Sequence, residues 1–239
     1  GPGATNLITG ICGAWFDSVS VLYLTGQVTT DRIKGDTGVR QIGFQETEVI
    51  PMVRHITKYA VQISDAAQIR RELEKAVYMA REGRPGPVVV DIPDDLQRAD
   101  IDAASLEGFT PSESPDNSAG ETLGKSVTQC LTLLQQAQRP VLVVGWGVRL
   151  SRAEKNFMTL AGKLGFPLLP SWAAMDICHN EHPLLVGGCG THGSRGGNFT
   201  MQNADLVFSI GARLDSHETG PMDSWAREAK TIVVDIDQA

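Results

Sequence analysis

Arg84-Pro-Gly-Pro-Val-Val-Val-Asp-Ile-Pro93 decides the fold class. Glycine and proline stop whatever precedes it, and Pro87–Pro93 is then a short, nearly unbroken apolar run. Such a run is the signature of a parallel strand covered on both faces, because each alternate side chain meets an apolar layer. Just upstream, Ile69, Leu73, Ala76, Val77 and Ala80 recur at the helical period, and Asp65 is placed to cap the start of a helix over Ala66–Glu82. Thr57–Ile63 alternates and is rich in β-branched residues, so it reads as a further strand. Val19–Thr25 reads as another, ended by Gly26, after a helix over Thr5–Phe16. A polar loop over Thr29–Gly43 and a short helix over Glu46–Arg54 complete this half.

The second half repeats the style. Glu121–Gln136 is expected to be helical, with Leu123, Val127, Cys130, Leu131 and Leu134 on one face. Strands are expected at Pro140–Gly145, Pro167–Pro170, Asp205–Gly211 and Thr231–Asp235, and helices at Arg152–Leu164, Gly197–Ala204 and Trp225–Ala229. Alternation of this kind implies parallel sheets with right-handed crossovers. Between the halves, Asp94–Gly120 is rich in Asp, Ser, Pro and Gly without periodicity. It reads as an interdomain linker or as a long surface loop. The expectation is α/β throughout: one domain over 1–100, a linker over 101–120, and a Rossmann-like domain over 121–239.

Composition narrows the function. Lys+Arg is 21 against Asp+Glu 28, a net charge of -7, which argues against a general nucleic-acid binder. No apolar run approaches a membrane span. Four cysteines at 12, 130, 178 and 189 contain no CxxC pair and are too few for a disulfide scaffold, so a reducing cytoplasm is expected. Cys178, His179, His182 and Cys189 match no common zinc spacing, and no metal site is assigned. No serine-nucleophile elbow is present, and Asp94 and Asp95 read as a strand end.

Three loops follow strands and carry candidate binding chemistry. Gly145-Trp-Gly147 either lets backbone approach a phosphate at a helix start or makes a tight strand-to-helix turn. Gly187-Gly-Cys-Gly-Thr-His-Gly-Ser-Arg-Gly-Gly197 has six glycines in eleven residues, and either wraps a cofactor or is a surface loop. Gly211-Ala-Arg-Leu-Asp-Ser-His-Glu-Thr-Gly220 follows a strand, where open α/β sheets bind ligands. There Arg213 is placed for a phosphate and Asp235 for a ribose hydroxyl, or each is a solvated charge or a cap.

The order of several motifs carries a resemblance. Gly1-Pro-Gly-Ala-Thr-Asn6, Phe16-Asp-Ser18, Thr25-Gly-Gln-Val28, Phe44-Gln-Glu46, Ile56-Thr-Lys58 and Arg84–Pro93 are followed by Arg139–Gly145, Gly190-Thr-His-Gly193, Ala204-Asp-Leu206, Gly211-Ala-Arg213, Thr219-Gly220 and Asp235-Ile-Asp237. The chain resembles the thiamine-diphosphate (ThDP) enzymes of the acetolactate synthase group, which serve branched-chain amino acid biosynthesis. The resemblance implies the later part of a pyrimidine-binding domain followed by most of a central domain. It implies that the cofactor-activating glutamate and the metal and diphosphate motif lie outside the chain, and that the chain alone does not catalyse. By the same resemblance, Pro2 and Asn6 line the thiamine pocket across a subunit interface, and Gln45 faces the reacting end. Phe44, Arg84, Gly145, Gly147, Ser171, Gly190, His192, Gly211, Arg213, Asp235 and Ile236 match positions near a flavin, which in the synthases has no redox role.

The intact protein is then expected to be a homodimer or tetramer using ThDP and Mg²⁺, with FAD as a further cofactor. It would act on a 2-keto acid such as pyruvate, with no nucleic-acid or membrane partner. Three departures bear on FAD and on the acceptor. Trp146 stands within a glycine triplet of the synthases, His217 replaces an arginine, and the loop between Gln27 and Phe44 is longer, with Thr29 at a usual proline. Gly38–Glu46 also resembles synthase-like carboligases found with surface-polysaccharide genes, which implies another carbonyl acceptor such as a keto-sugar. A non-catalytic nucleotide-binding or assembly module is the reading from a different class.

Overall fold

The computed structural model describes residues 1–111 and 119–237. Residues 112–118, within the expected linker, lie outside that description. Two compact units are formed, Gly1–Ser114 and Pro115–Ala239.

The first unit is built on a parallel three-stranded sheet in the order β1-β3-β2, with β1 Leu22–Gln27, β2 Tyr59–Gln62 and β3 Val88–Pro93. Val88, Val89 and Val90 of the central strand are all fully buried. Their alternation explains why the run is unbroken. Val89 faces a cluster with Ile11, Val49 and Val53, whereas Val88 and Val90 face one with Ile63, Ala76 and Ala80. The first cluster draws on α1 Ile8–Phe16 and α2 Val49–Val53; the second draws on α3 Ile69–Arg81. Asp65 caps as expected, accepting a hydrogen bond from Ala67 N at 2.9 Å, but it starts a 3₁₀ turn over Ala66–Gln68 that leads into α3. β1 runs through Gly26 to Gln27 rather than stopping at the glycine, because its parallel pairing with β3 continues to Pro93. A short helix, α4 Asp94–Gln97, follows β3.

The first residues of the expected linker are fastened to α3. Arg70 Nη1 donates to Leu106 O at 3.1 Å, and Phe109 N donates to Glu74 Oε2 at 2.7 Å. The Tyr78 and Phe109 rings lie 5.5 Å apart.

In the second unit, α5 Ala119–Gln136 precedes a parallel four-stranded sheet in the order β5-β4-β6-β7. The strands are β4 Pro140–Val144, β5 Leu168–Pro170, β6 Leu206–Ile210 and β7 Lys230–Val234. Val141 and Val143 face one core cluster, and Leu142 and Val144 face the other. A short helix not expected from the sequence, α6 Trp146–Leu150, precedes the one expected over Arg152–Leu164, which forms as α7 Glu154–Leu164; Arg152 takes φ 55° between the two. α7 ends at Gly165 in the left-handed region, φ 66°. α8 spans Arg195–Gln202 and α9 Ser216–Thr219. The helix expected over Trp225–Ala229 does not form: Ala226 takes φ 39°, and its carbonyl accepts Ala229 N at 2.8 Å to close a turn.

Chain order on this sheet places β4 centrally. β5 lies on one side and β6 and β7 on the other, so the direction of winding reverses between β4 and β6. That reversal opens a crevice at the carboxyl ends of the strands, where open α/β sheets bind ligands.

Candidate functional site

Each unit gathers candidate residues at the carboxyl edge of its own sheet. In the first unit the chain start is tied there, since the Gly1 amino group donates to Gly26 O at 2.6 Å. Gly1 also lies against the Phe44–Thr47 turn: a Cβ on it would stand 2.6 Å from Gln45 O. Pro2 and Gln45 are thus brought to one edge. Pro2, Asn6 and Gln45 are exposed, and Phe44 is 81% exposed. Gln45 takes φ 60°, left-handed for a residue with a side chain. Such a conformation carries a cost of order 1–3 kcal/mol and persists only where the surroundings dictate it.

The surroundings are specific. One Glu46 oxygen accepts Lys34 N at 2.7 Å; the other accepts Ile42 N at 2.8 Å and Gly43 N at 3.3 Å. Desolvation opposes the charged form, yet these three N–H donors and the Lys34 ammonium outweigh it and hold the Glu46 carboxyl below its ordinary value. Lys34 Nζ pairs with Glu48 at 2.9 Å. Beneath the turn, Gln27 Nε2 donates to Thr47 O at 2.7 Å and to Asp91 Oδ2 at 3.2 Å. Asp91 is 0% exposed and also accepts from Thr25 Oγ1 at 2.6 Å and Gln62 Nε2 at 3.0 Å, so one buried carboxylate joins all three strands.

Arg84 does not join this group. It precedes β3, and its Nε donates to Ser18 Oγ at 2.8 Å, just ahead of β1. Phe44 and Gln45 lie past the other end of the same strands. Six residues of strand, at about 3.3 Å each, separate the two ends by roughly 20 Å.

In the second unit the winding reversal falls between Gly145, after β4, and Gly211, after β6. Ser171 follows β5, Arg213 follows β6, and Asp235 and the exposed Ile236 follow β7. Gly190 and His192 enter from the glycine-rich loop. Gly190 takes φ 89°, and a Cβ on it would lie 2.2 Å from His217 O. Thr191 N donates to that carbonyl at 2.7 Å, joining the loop to α9. The result is a row of rings. Trp172 and His192 meet edge-on at 4.3 Å between centroids, and His192 stacks with His217 at 6.0 Å. Trp172 is 69% exposed. Sequence reading assigns it no role; its place directly after Ser171 at a strand end is the only signal.

Two acids of this edge have shifted equilibria. Burial, and then the Asp215 carboxylate, push Glu218 above its ordinary value, although Leu214, Arg213 and Ser171 partly offset them. Burial, and then Glu218, push the Cys189 thiol up to about 11. Glu218 Oε2 and Trp225 Nε1 are buried with no hydrogen-bond partner among the described residues, and both residues line a cleft with Thr191 and Thr219. Among the described residues no group of three His, Cys, Asp or Glu gathers as a metal ion requires. All four cysteines are free, and no described helix is long and apolar enough to cross a membrane.

The Gly145-Trp-Gly147 turn serves the chain itself. Gly145 N donates to Ile210 O and Gly147 N to Gly211 O, both at 2.9 Å. The Trp146 indole lies under the Arg149 guanidinium at 5.8 Å.

Comparison with known proteins places the chain among relatives. Residues 127–239 match the family described as thiamine pyrophosphate enzyme, central domain. The full chain is 34% identical to a probable acetolactate synthase large subunit of Methanococcus aeolicus, covering 39% of that protein. It is 34% identical to the acetolactate synthase isozyme 2 large subunit of Escherichia coli, covering 41%. Against acetolactate synthase 1, chloroplastic, of Zea mays it is 36% identical, covering 36%. The chain therefore spans about two fifths of the length of these relatives.

Proposed function

We propose, from the match of residues 127–239 to the family described as thiamine pyrophosphate enzyme, central domain, that the chain is part of a ThDP-dependent carboligase. In the reaction a 2-keto acid such as pyruvate loses its carboxylate as CO₂, and the remaining acyl carbon forms a new C–C bond to a second carbonyl compound. Two pyruvates and a proton would yield acetolactate and CO₂. The observation that carries this reading is similarity along the whole chain, through both units, to acetolactate synthases.

The first unit supports one wall of a thiamine pocket. Pro2, Asn6 and Gln45 are exposed, and Pro2 and Gln45 share the carboxyl edge of β1, so the wall is open to a partner surface. When bound, ThDP supplies the electron sink for the acyl carbanion equivalent. Pro2 and Asn6 would hold its thiamine half. The Gln45 amide would donate a hydrogen bond to a substrate carbonyl oxygen as negative charge develops there, a contribution that grows toward the transition state. Phe44 would screen that oxygen from water. A pocket wall of this kind is completed by a second subunit, and we take the intact protein as a homodimer or tetramer. Free cysteines support a reducing compartment, the cytoplasm. No residue here is assigned to Mg²⁺.

The Gly145-Trp-Gly147 turn does not fit a flavin phosphate. Its two glycine N–H groups are engaged by Ile210 O and Gly211 O, and the space beside Gly145 is filled by Gly211 and Ala212 backbone. No step of the proposed reaction passes through a flavin.

The test uses the intact protein with pyruvate, ThDP and Mg²⁺, with and without FAD. Acetolactate is expected; a folded, ThDP-loaded protein that forms none would overturn it as the product. The second reading, a keto-sugar or other carbonyl acceptor, is favoured by the longer Val28–Gly43 loop beside Gln45, and the same assay with keto-sugars would report it.

A further inference from the structure

We propose that Glu46 and Gln27 are positioning residues that clamp the Phe44–Thr47 turn from its two sides and so set Gln45 in its left-handed conformation at the reacting end. The inference rests on the carboligase reading and extends it to residues that do not themselves touch substrate.

On the outer side, Glu46 gathers three backbone N–H groups from two points of the chain. Lys34 starts the span and Ile42 and Gly43 end it, so one carboxylate closes a loop of about ten residues. The backbone closes the same turn, with Glu46 N donating to Gly43 O at 3.2 Å. Inside this closure the packing is tight. A Cβ on Gly43 would lie 2.9 Å from the Val28 side chain and 3.0 Å from Arg32 O, so the loop end has little room to shift.

On the inner side, Gln27 is itself held. Its oxygen accepts Val28 N at 3.0 Å, and its amide nitrogen bridges Thr47 O and the buried Asp91. Thr47 Oγ1 then reaches back to Gln45 O at 3.3 Å. A left-handed non-glycine residue is retained only where its neighbours over-determine it. Here Gln45 is followed directly by a residue tied to the loop, Glu46, and then by a residue tied to the sheet, Thr47. The arrangement fixes the direction in which the Gln45 side chain leaves the backbone while leaving that side chain exposed. A group that must meet a developing charge gains from such fixing, because a misplacement of about 1 Å costs on the order of 10²-fold in rate.

The test compares Glu46→Gln and Gln27→Ala with wild type in the intact ThDP- and Mg²⁺-loaded protein. Glu46→Gln keeps the size of the side chain but turns one acceptor oxygen into a donor, facing at least one of the three N–H groups. Expected are a kcat for pyruvate decarboxylation lowered about 10²-fold, KM for pyruvate and ThDP affinity within about twofold, and partial recovery of kcat in Glu46→Asp. Hydrogen exchange should show lost protection at Lys34, Ile42 and Gly43 in Glu46→Gln, with the amides of β3 unchanged. Wild-type kcat in both variants would overturn the inference, as would ThDP affinity and kcat falling in parallel, which marks a merely structural role. If Glu46→Gln does not fold, Gln27→Ala decides by the same criteria. If the wild-type protein decarboxylates no 2-keto acid, the carboligase reading falls and this inference with it. An active wild type with unaffected variants defeats the inference alone.

Discussion

A Cβ placed on Gly145 would lie 2.1 Å from the carbonyl oxygen of Gly211. The two glycines meet backbone to backbone where the winding of the second sheet reverses. Gly145 itself is in extended conformation, φ -114° and ψ 176°, which any residue adopts. The need for glycine at this position is therefore one of space.

That distinction gives a first expectation. Gly145→Ala should destabilise the second unit severely, by about 4 kcal/mol or more, because the obstructing atoms are backbone and cannot rotate aside. Urea unfolding followed by the fluorescence of Trp146 and Trp225 would measure it. A midpoint shift worth less than about 1 kcal/mol would mean that the β4 and β6 loops separate easily.

In the first unit the corresponding weak point is Asp91. Asp91→Asn keeps the shape but places a donor where Thr25, Gln27 and Gln62 donate. Leaving buried donors unmatched costs about 1–3 kcal/mol. The loss should appear as a lower urea midpoint with unchanged slope. An unchanged midpoint would show that the three donors find other acceptors.

Glu218 should make the second unit's stability depend on pH. Its folded-state value is raised, so the native form holds the proton more tightly than the unfolded chain does. The associated stabilisation is fully present below the ordinary glutamic-acid value near about 4.3 and is lost as pH rises through the folded value. Glu218→Gln should flatten that decline as pH rises above the ordinary glutamic-acid value. Identical pH profiles for the variant and wild type would exclude Glu218 as the source.

Cys189 should resist alkylation in the native protein. Its thiol is buried and pushed up to about 11, so little thiolate exists at pH 8. Mass mapping after brief iodoacetamide treatment should find the half-exposed Cys12 modified well before Cys189. Equal rates at the two sites would show that the loop around Gly190 opens readily.

The covered strands were legible in the sequence. Val88–Val90 and Val141–Val144 declare themselves because burial on both faces removes polar alternation, and Asp65 and Gly165 mark helix ends through backbone chemistry local to a few residues. The missing helix at Trp225–Ala229 was not legible, since a non-glycine residue in the left-handed region, here Ala226, is imposed by surrounding contacts. The family resemblance rests on the order of short motifs, which a linear chain displays in full.

Among the candidate residues, sequence by itself determined which types stand after which strands: Gln45 and Asn6 in one half, Gly145, Gly211, Arg213 and Asp235 in the other. Tertiary structure alone decided what those residues meet. It set Arg84 and Phe44 at opposite ends of one sheet, turned the glycine N–H groups of Gly145 and Gly147 toward the chain's own carbonyls, and joined Asp91, Gln27 and Thr47 across long sequence separations. The physical reason is range: propensity and capping act over a few residues along the chain, whereas a hydrogen bond or a steric contact acts over a few ångströms of space that only the folded chain defines.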